Sequence, residues 1–274
     1  MSHVVLHVWR VPAPAVPLAL FRMAVDRLRL AGTPGLRFRK LLGTGHGRSF
    51  ASADADPRTW ALLTVWDDER ASLAFEAHPT PRGWRRIAAE EWRGDMTPLR
   101  THGRWSGADP FVVDRGLATT WTGPVAAITR ARIRPSRWRT FWSAVPPVVA
   151  DLDAHDGPSV RLGIGEAPVG VQGTFTVWPS TAAMTDFAYR RGAHRAAIDD
   201  TERLGWYAEE LFARLALTDE RGTLFGVDRT ARQSAEASPT NGPVMPPPAS
   251  PTSPSPTSPS PTSVSPDRTA TDHA

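Results

Sequence analysis

Apolar and polar positions along this chain follow two rhythms, one of period two and one near 3.6, and the rhythms alternate in the same order in each half. Residues 4–11 read Val-Val-Leu-His-Val-Trp-Arg-Val, a β-branched and aromatic run that predicts a strand. Residues 14–30 carry Val16, Leu20, Met23, Ala24 and Leu28 near helical spacing, and Gly32-Thr33-Pro34-Gly35 supplies the breakers that end a helix. Strands follow at 36–43 and 60–66. Asp67-Asp68 caps a helix that runs through 77 and stops at Pro79, residues 82–92 read as another helix, and a strand is expected over 99–105. The second half predicts a strand at 125–133, a helix at 137–152 and strands at 159–163 and 173–178. Helices at 181–190 and 193–215, the latter with a break at Gly205, complete it.

The two halves also share residues. Phe21, Ala24, Val25, Leu42, Gly43 and Gly45 recur 120 positions later as Phe141, Ala144, Val145, Leu162, Gly163 and Gly165. Thr64-Val65-Trp66 and Phe75 recur 112 positions later as Thr176-Val177-Trp178 and Phe187. Solenoid repeats have periods of about 20–50 residues, so a period this long implies two copies of a whole folding unit. The expected class is α+β, with two tandem ferredoxin-like β-α-β-β-α-β repeats that form a dimeric α/β-barrel arrangement within one chain. The repeats occupy residues 1–115 and 116–228, and a disordered tail occupies 229–274. That tail consists of Pro/Ser/Thr units with little apolar area to offset a backbone ordering cost of about 1–2 kcal/mol per residue.

Composition narrows the chemistry. The chain has no cysteine, so a metal or haem iron must be held by His, carboxylate, Met or Tyr. No signal peptide and no apolar run long enough to cross a bilayer is read, and a cytoplasmic location is expected. The net charge of +4 rests on arginines scattered among tryptophans and acids, with Lys40 the single lysine, a pattern that does not predict nucleic-acid binding. Motifs for hydrolysis are missing: no Gly-x-Ser-x-Gly elbow, His-Glu-x-x-His or Ser-His-Asp spacing occurs.

Among the eight histidines, His3, His155 and His273 read as solvated. His46 lies in a glycine-rich turn without the ending of a phosphate loop, His7 reads as a core histidine satisfied by backbone, and His78, before Pro79, as a helix cap. His194 differs, because His194, Ala197, Ile198 and Thr201 share a helical face that turns the imidazole toward the core, where a structural and a ligand role are both open. Met184 and Tyr189 line the same pocket or belong to the core. Of the eleven tryptophans, Trp66 and Trp178 end matching strands, Trp84, Trp92 and Trp206 fall in helical segments, and core packing accounts for all five.

Several segments carry a resemblance. Arg39-Lys40-Leu41-Leu42-Gly43-Thr44-Gly45, Gly103-Arg104-Trp105-Ser106-Gly107 with Pro110-Phe111, Gly163-Ile164-Gly165-Glu166-Ala167-Pro168-Val169-Gly170, and Phe187-Ala188-Tyr189 followed by His194 resemble the spheroidene monooxygenase family of carotenoid biosynthesis. The resemblance runs from the first strand to about residue 215. It implies an α/β-barrel related to chlorite dismutases and aldoxime dehydratases, with haem b in the C-terminal half and His194 as iron ligand. It further implies an oxidoreductase that oxygenates a small or long apolar substrate, an acceptor on His194 Nδ1, and Arg37, Arg39 and Lys40 as partners for the haem propionates, with Tyr189 beside the cofactor. Glu166 and the Gly163/Gly165 loop would shape the pocket.

The expected partners are the apolar substrate and an electron donor or peroxide, and self-association is compatible with the fold. Two other readings stay open. The same iron would serve a dehydratase or peroxidase-like enzyme acting on an N–O group or peroxide, and the barrel without cofactor would serve as a ligand-binding protein or a cofactor-free monooxygenase.

Overall fold

The computed structural model describes residues 2–46, 54–141, 143, 157–166, 171–190 and 205–230, with the backbone alone at 171, 172, 189 and 190. All fall within Met1–Ala237, one of two units into which the chain divides. In chain order they form β1 (His3–Arg10), α1 (Val16–Arg29), β2 (Leu36–Gly45), β3 (Ala55–Trp66), α2 (Glu69–Ala74), α3 (Pro79–Arg85) and β4 (Glu90–Gly103). There follow α4 (Arg115–Thr120), β5 (Val125–Ile133), β6 (Val160–Gly165), β7 (Val171–Trp178), α5 (Thr181–Arg190), β8 (Tyr207–Leu224) and β9 (Val227–Asp228).

The fold is mixed α+β with one large antiparallel sheet of order β4-β1-β3-β2-β6-β7-β5-β8-β9, and β4 also pairs with β8. The first eight strands therefore close on themselves. Within each set of four, the last strand lies beside the first and the third lies between the first and second. The two closures differ in extent. At one, Gly43, Thr44 and Gly45 of β2 face Gly165, Ile164 and Gly163 of β6. At the other, β4 and β8 run together from Trp92 opposite Gly222 to Gly103 opposite Leu211.

Period-two alternation explains how the faces divide. Val4, Leu6, Leu63, Leu162, Phe175 and Leu215 point into the closed sheet and form its interior. Val5, Trp9, Leu62 and Trp66 point outward and are covered by α1 and by Trp84 of α3. Burying each such side chain contributes about 1.5–3 kcal/mol. A third cluster joins Leu99, Val125, Trp178 and Ala216 to Met184 and Phe187 of α5. Caps begin the short helices: the Asp68 carboxylate accepts the Ala71 N–H at 2.8 Å, and His78 Nδ1 accepts the Thr80 N–H at 3.2 Å, the capping role expected of it.

Several expectations need correction. The helix read at 82–92 is α3, which begins at Pro79 and ends at Arg85, and Glu90 opens a strand that continues to Gly103. Pro79 starts this helix because its missing N–H is one the first turn does not use. Glu90, Glu91 and Trp92 pair instead with Arg10, Trp9 and Val8 of β1. The helix read at 193–215 falls partly outside the described residues. Its described end, Tyr207 onward, is β8, held between β4 and β5 with Leu211, Ala213, Leu215 and Leu217 alternating inward. Pairing on both edges outweighs the helical preference of its Ala, Leu, Glu and Arg residues. Trp92 and Trp206 are therefore not helical, although both are buried.

Two histidines differ as well. His3 is bonded to Asp95 at 2.9 Å instead of being solvated, and His7 is bonded through Nε2 to the Glu76 carboxylate at 2.9 Å instead of to backbone, with its buried Nδ1 left without a partner. The described fold continues past Asp228 to Arg229, which is buried and donates to the Ser159 carbonyl.

Candidate functional site

The outward ladders of the two sets of strands match in register but not in size. Between β1 and β3 the outward pairs are His3 with Trp66, Val5 with Thr64, His7 with Leu62 and Trp9 with Trp60. Between β5 and β7 they are Val125 with Trp178, Ala127 with Thr176, Thr129 with Thr174 and Ala131 with Gln172. Both ladders keep the same anchor, since Trp66 and Trp178 each donate the indole N–H at 2.9 Å to the threonine hydroxyl two residues earlier. Beyond the anchor the bulk disappears. Where Trp9 lies stacked between His7 and Trp84, with ring centroids 5.1 and 5.3 Å away, the later strands carry threonine and alanine.

In the second half the Nε1 groups of Trp138 and Trp206 are buried without an acceptor, as are those of Trp60 and Trp84 in the first. Trp206 packs edge to face on Phe141 at 5.7 Å, and the Arg134 N–H donates to its carbonyl. A buried N–H without an acceptor costs about 1–3 kcal/mol, so each of these indoles has a valence open to an acceptor. The walls toward Trp178 are apolar, made by Met184 and by Phe187, whose ring lies 5.3 Å from Trp178.

A second constellation lies at one end of the sheet interior. Arg130 follows Ala126 and Ile128 on the inward face of β5 and is 2% exposed. It donates to Glu166 Oε1 at 3.1 Å and to Glu209. Glu166 also accepts from Lys40 at 2.5 Å and from the Trp105 indole at 2.7 Å, while Glu209 accepts the backbone N–H groups of Ser106 and Gly107. Burial pushes the Glu166 carboxyl up, but the Lys40 and Trp105 hydrogen bonds and the Lys40 and Arg130 charges outweigh it and hold the group below its ordinary range. These are matched charges with few open valences, an arrangement that joins strands.

The third constellation lies toward the helices of the first half. Glu76 accepts from His7 and binds Arg85 and Arg93, and Arg93 continues to Asp95, which His3 and Arg221 also reach. Burial raises the Glu76 carboxyl, yet the His7 bond and the Arg93 and Arg85 charges bring it down to about 2. Asp95 is held lower still by the same kind of partners.

Of the residues singled out from the sequence, the described ones, Arg37, Arg39 and Lys40, do not converge. Arg37 is exposed and lies 3.4 Å from Asp67, and Arg39 is exposed on the same face of β2. Lys40 turns the other way, onto Glu166, Ser106 and the rings of Phe38 and Trp105. His194, His155 and His273 and the side chain of Tyr189 lie outside the described residues. Among the described residues no group of three or more His, Asp or Glu side chains could hold a metal ion. Sequence reasoning missed Arg130 and Glu209. The signal for Arg130 was its parity, since 126, 128 and 130 share one face of a strand.

A scan against protein-family models finds no match. The spheroidene monooxygenase of Rhodobacter capsulatus is 34% identical over 223 residues, covering 81% of this chain and 92% of the relative. That of Rubrivivax gelatinosus is 38% identical over 184 residues, 67% of this chain and 69% of the relative. Among solved structures, an aldoxime dehydratase in complex with butyraldoxime superposes with a TM-score of 0.54 at 10% identity, over 80% of this chain and 79% of that one, a likeness of fold. With a third of its residues shared along nearly the whole length of a curated relative, the chain belongs to the spheroidene monooxygenase family and is an enzyme of the oxidoreductase class.

Proposed function

We propose that the protein is a haem-dependent monooxygenase that places one oxygen atom into a long apolar polyene of the kind for which its relatives are named. In this reading the strand sets are tandem ferredoxin-like repeats, 1–115 and 116–228, arranged as a dimeric α/β-barrel within one chain and followed by a flexible Pro/Ser/Thr-rich tail. The outward face of β5 and β7 would hold the haem. The observation that carries the proposal is the exchange of His7, Trp9 and Leu62 for Thr129, Ala131 and Thr174 in otherwise matching ladders. It sets small side chains on the face against which a broad, flat group would lie, where the first half carries large ones.

The donor set fits such a group. His194 is the proposed iron ligand, and the buried Trp138 and Trp206 N–H groups, which lack an acceptor, would donate to its carboxylates. Arg39 and Tyr189 are the further residues assigned to its surroundings. Lys40 and Arg37 already hold Glu166 and Asp67, so a role for them at the propionates requires those pairs to part. Bound there, haem would supply oxygen activation, in which one atom of O2 enters a substrate C–H bond and the other leaves as water, with two electrons from a donor and two protons from solvent. The chain's own share is steric and dielectric. Trp178, Met184 and Phe187 present an apolar wall that keeps water from the reacting carbon and favours a substrate without polar groups.

The test is an absorption spectrum of the full chain supplied with haem, beside His194→Ala and Thr129→Trp. A Soret band in the wild type that is lost or shifted in His194→Ala, and lost in Thr129→Trp with the histidine intact, is expected. A wild type without a band overturns the haem reading, and an unchanged band in His194→Ala moves the ligand elsewhere.

A further inference from the structure

Helix α1 presents an apolar face to solvent. The sequence VPLALFRMAVDRLR turns Ala19, Asp26 and Leu30 inward, and all three are fully buried. On the opposite side Pro17, Phe21, Ala24 and Leu28 follow one another at positions i, i+4, i+7 and i+11, with Leu20 beside them. Leu20 is 54%, Phe21 62% and Leu28 79% exposed. A run of this kind along a helix of about 21 Å is an unusual surface for water.

The charges around it have one sign. Asp26, the only acid of α1, is buried and neutralised by Arg22 at 3.0 Å and Arg29 at 3.4 Å. Arg27 lies exposed beside the apolar row, and Arg29 and the exposed Arg86 lie close enough to Arg22 to repel its charge. A second copy of this face would bring arginines against arginines about a two-fold axis. An anionic surface with an apolar interior meets both halves of the pattern.

We infer that α1 is a peripheral membrane-docking helix, lying in the plane of an anionic bilayer with Phe21 and Leu28 in the acyl boundary and Arg27, Arg29 and Arg86 at the phosphates. Docking of this kind would bring the enzyme to where an apolar polyene dissolves, and it stands whether or not the haem reading does.

The absence of cysteine makes the test direct. Full-length Leu28→Cys and Phe212→Cys proteins, each labelled with an environment-sensitive dye, are mixed with phosphatidylcholine vesicles with and without phosphatidylglycerol. The dye at 28 is expected to shift to the blue with phosphatidylglycerol vesicles, less so at high salt, while the dye at 212, on the other half of the sheet, stays unchanged. In sedimentation with the same vesicles, the unlabelled Phe21→Ser/Leu28→Ser protein binds about tenfold more weakly than the wild type. Circular dichroism matching the wild type shows that both exposed changes leave the fold intact. No shift at 28, an equal shift at both sites, or undiminished binding of the double variant overturns the inference. A concentration-dependent dimer that the double variant dissociates, without vesicle binding, assigns the face to a second copy and also overturns it.

Discussion

Lys40 donates to Glu166 at 2.5 Å from a strand in one set of four to the end of a strand in the other. The bond spans the shorter of the two closures, where β2 meets β6 only at Gly43, Thr44 and Gly45. With Arg130 and Trp105 on the same carboxylate, side chains supply there what the brief backbone ladder does not.

Glu166→Gln leaves the buried Arg130 and the half-buried Lys40 without their shared charge. The expected cost is about 3 kcal/mol, read as a lower urea midpoint at unchanged slope. Lys40→Met added to it costs less than the sum of the single changes, because both remove the same pair. A Glu166→Gln protein as stable as the wild type would show that the network contributes nothing to closure.

The amides at that closure offer a second measurement. Hydrogen exchange at Gly43, Gly45, Gly163 and Gly165 is expected to be faster than along β4 between Trp92 and Gly103, since local opening follows the least-paired seam. Uniform protection around the ring would contradict this.

Acid should unfold the protein through Glu76 and Asp95. Both carboxyls are depressed in the folded state, Glu76 from 4.5 to about 2, so below the ordinary carboxylate range the unfolded chain binds protons that the native state refuses. Stability is therefore fully present above about pH 5 and declines as pH falls toward 2. Urea midpoints at pH 7 and pH 3 record the decline, and Glu76→Gln reduces it. An equal decline in that variant would place the acid sensitivity elsewhere.

The unequal ladders predict opposite responses to exchange. Trp9→Ala empties a fully buried position and is expected to cost about 3–5 kcal/mol. Thr129→Trp, at the half-buried place that His7 takes in the first ladder, leaves the melting temperature of haem-free protein within a few degrees and abolishes haem uptake. Severe destabilisation by Thr129→Trp would mean that the chain's own side chains already fill that space.

Much of the fold was legible wherever local pattern and tertiary environment agreed. The strand Val125–Ile133 and the helix Thr181–Arg190 fall where the sequence places them, because alternation or helical spacing there is bounded by clear turn residues. The Tyr207–Leu224 strand was not legible, as its residue types favour helix and only the strands on either side decide otherwise. In α1 the spacing identified the helix, yet Leu20, Ala24 and Leu28 face solvent while Met23 lies against the core, since periodicity reports a face without saying what covers it. Lys40 and Glu166 are 126 residues apart, and no spacing rule joins them. The small outward residues of β5 and β7 gain meaning only when register sets Ala127 beside Thr176 and Thr129 beside Thr174.

The closed ring of β1 to β8 has a consequence for how the molecule behaves among its own kind. An open sheet ends in a row of bare N–H and C=O groups that will template a foreign strand, and proteins suppress that hazard with charges, prolines or bulges. Here each of the eight strands already has a neighbour on both sides. The runs Val-Val-Leu-His-Val-Trp of β1 and Ala-Leu-Leu-Thr-Val-Trp of β3 therefore need no gatekeeping residues, being paired on both sides, while the stretch of β2 before Gly43, paired on one side only, carries Arg37, Arg39 and Lys40.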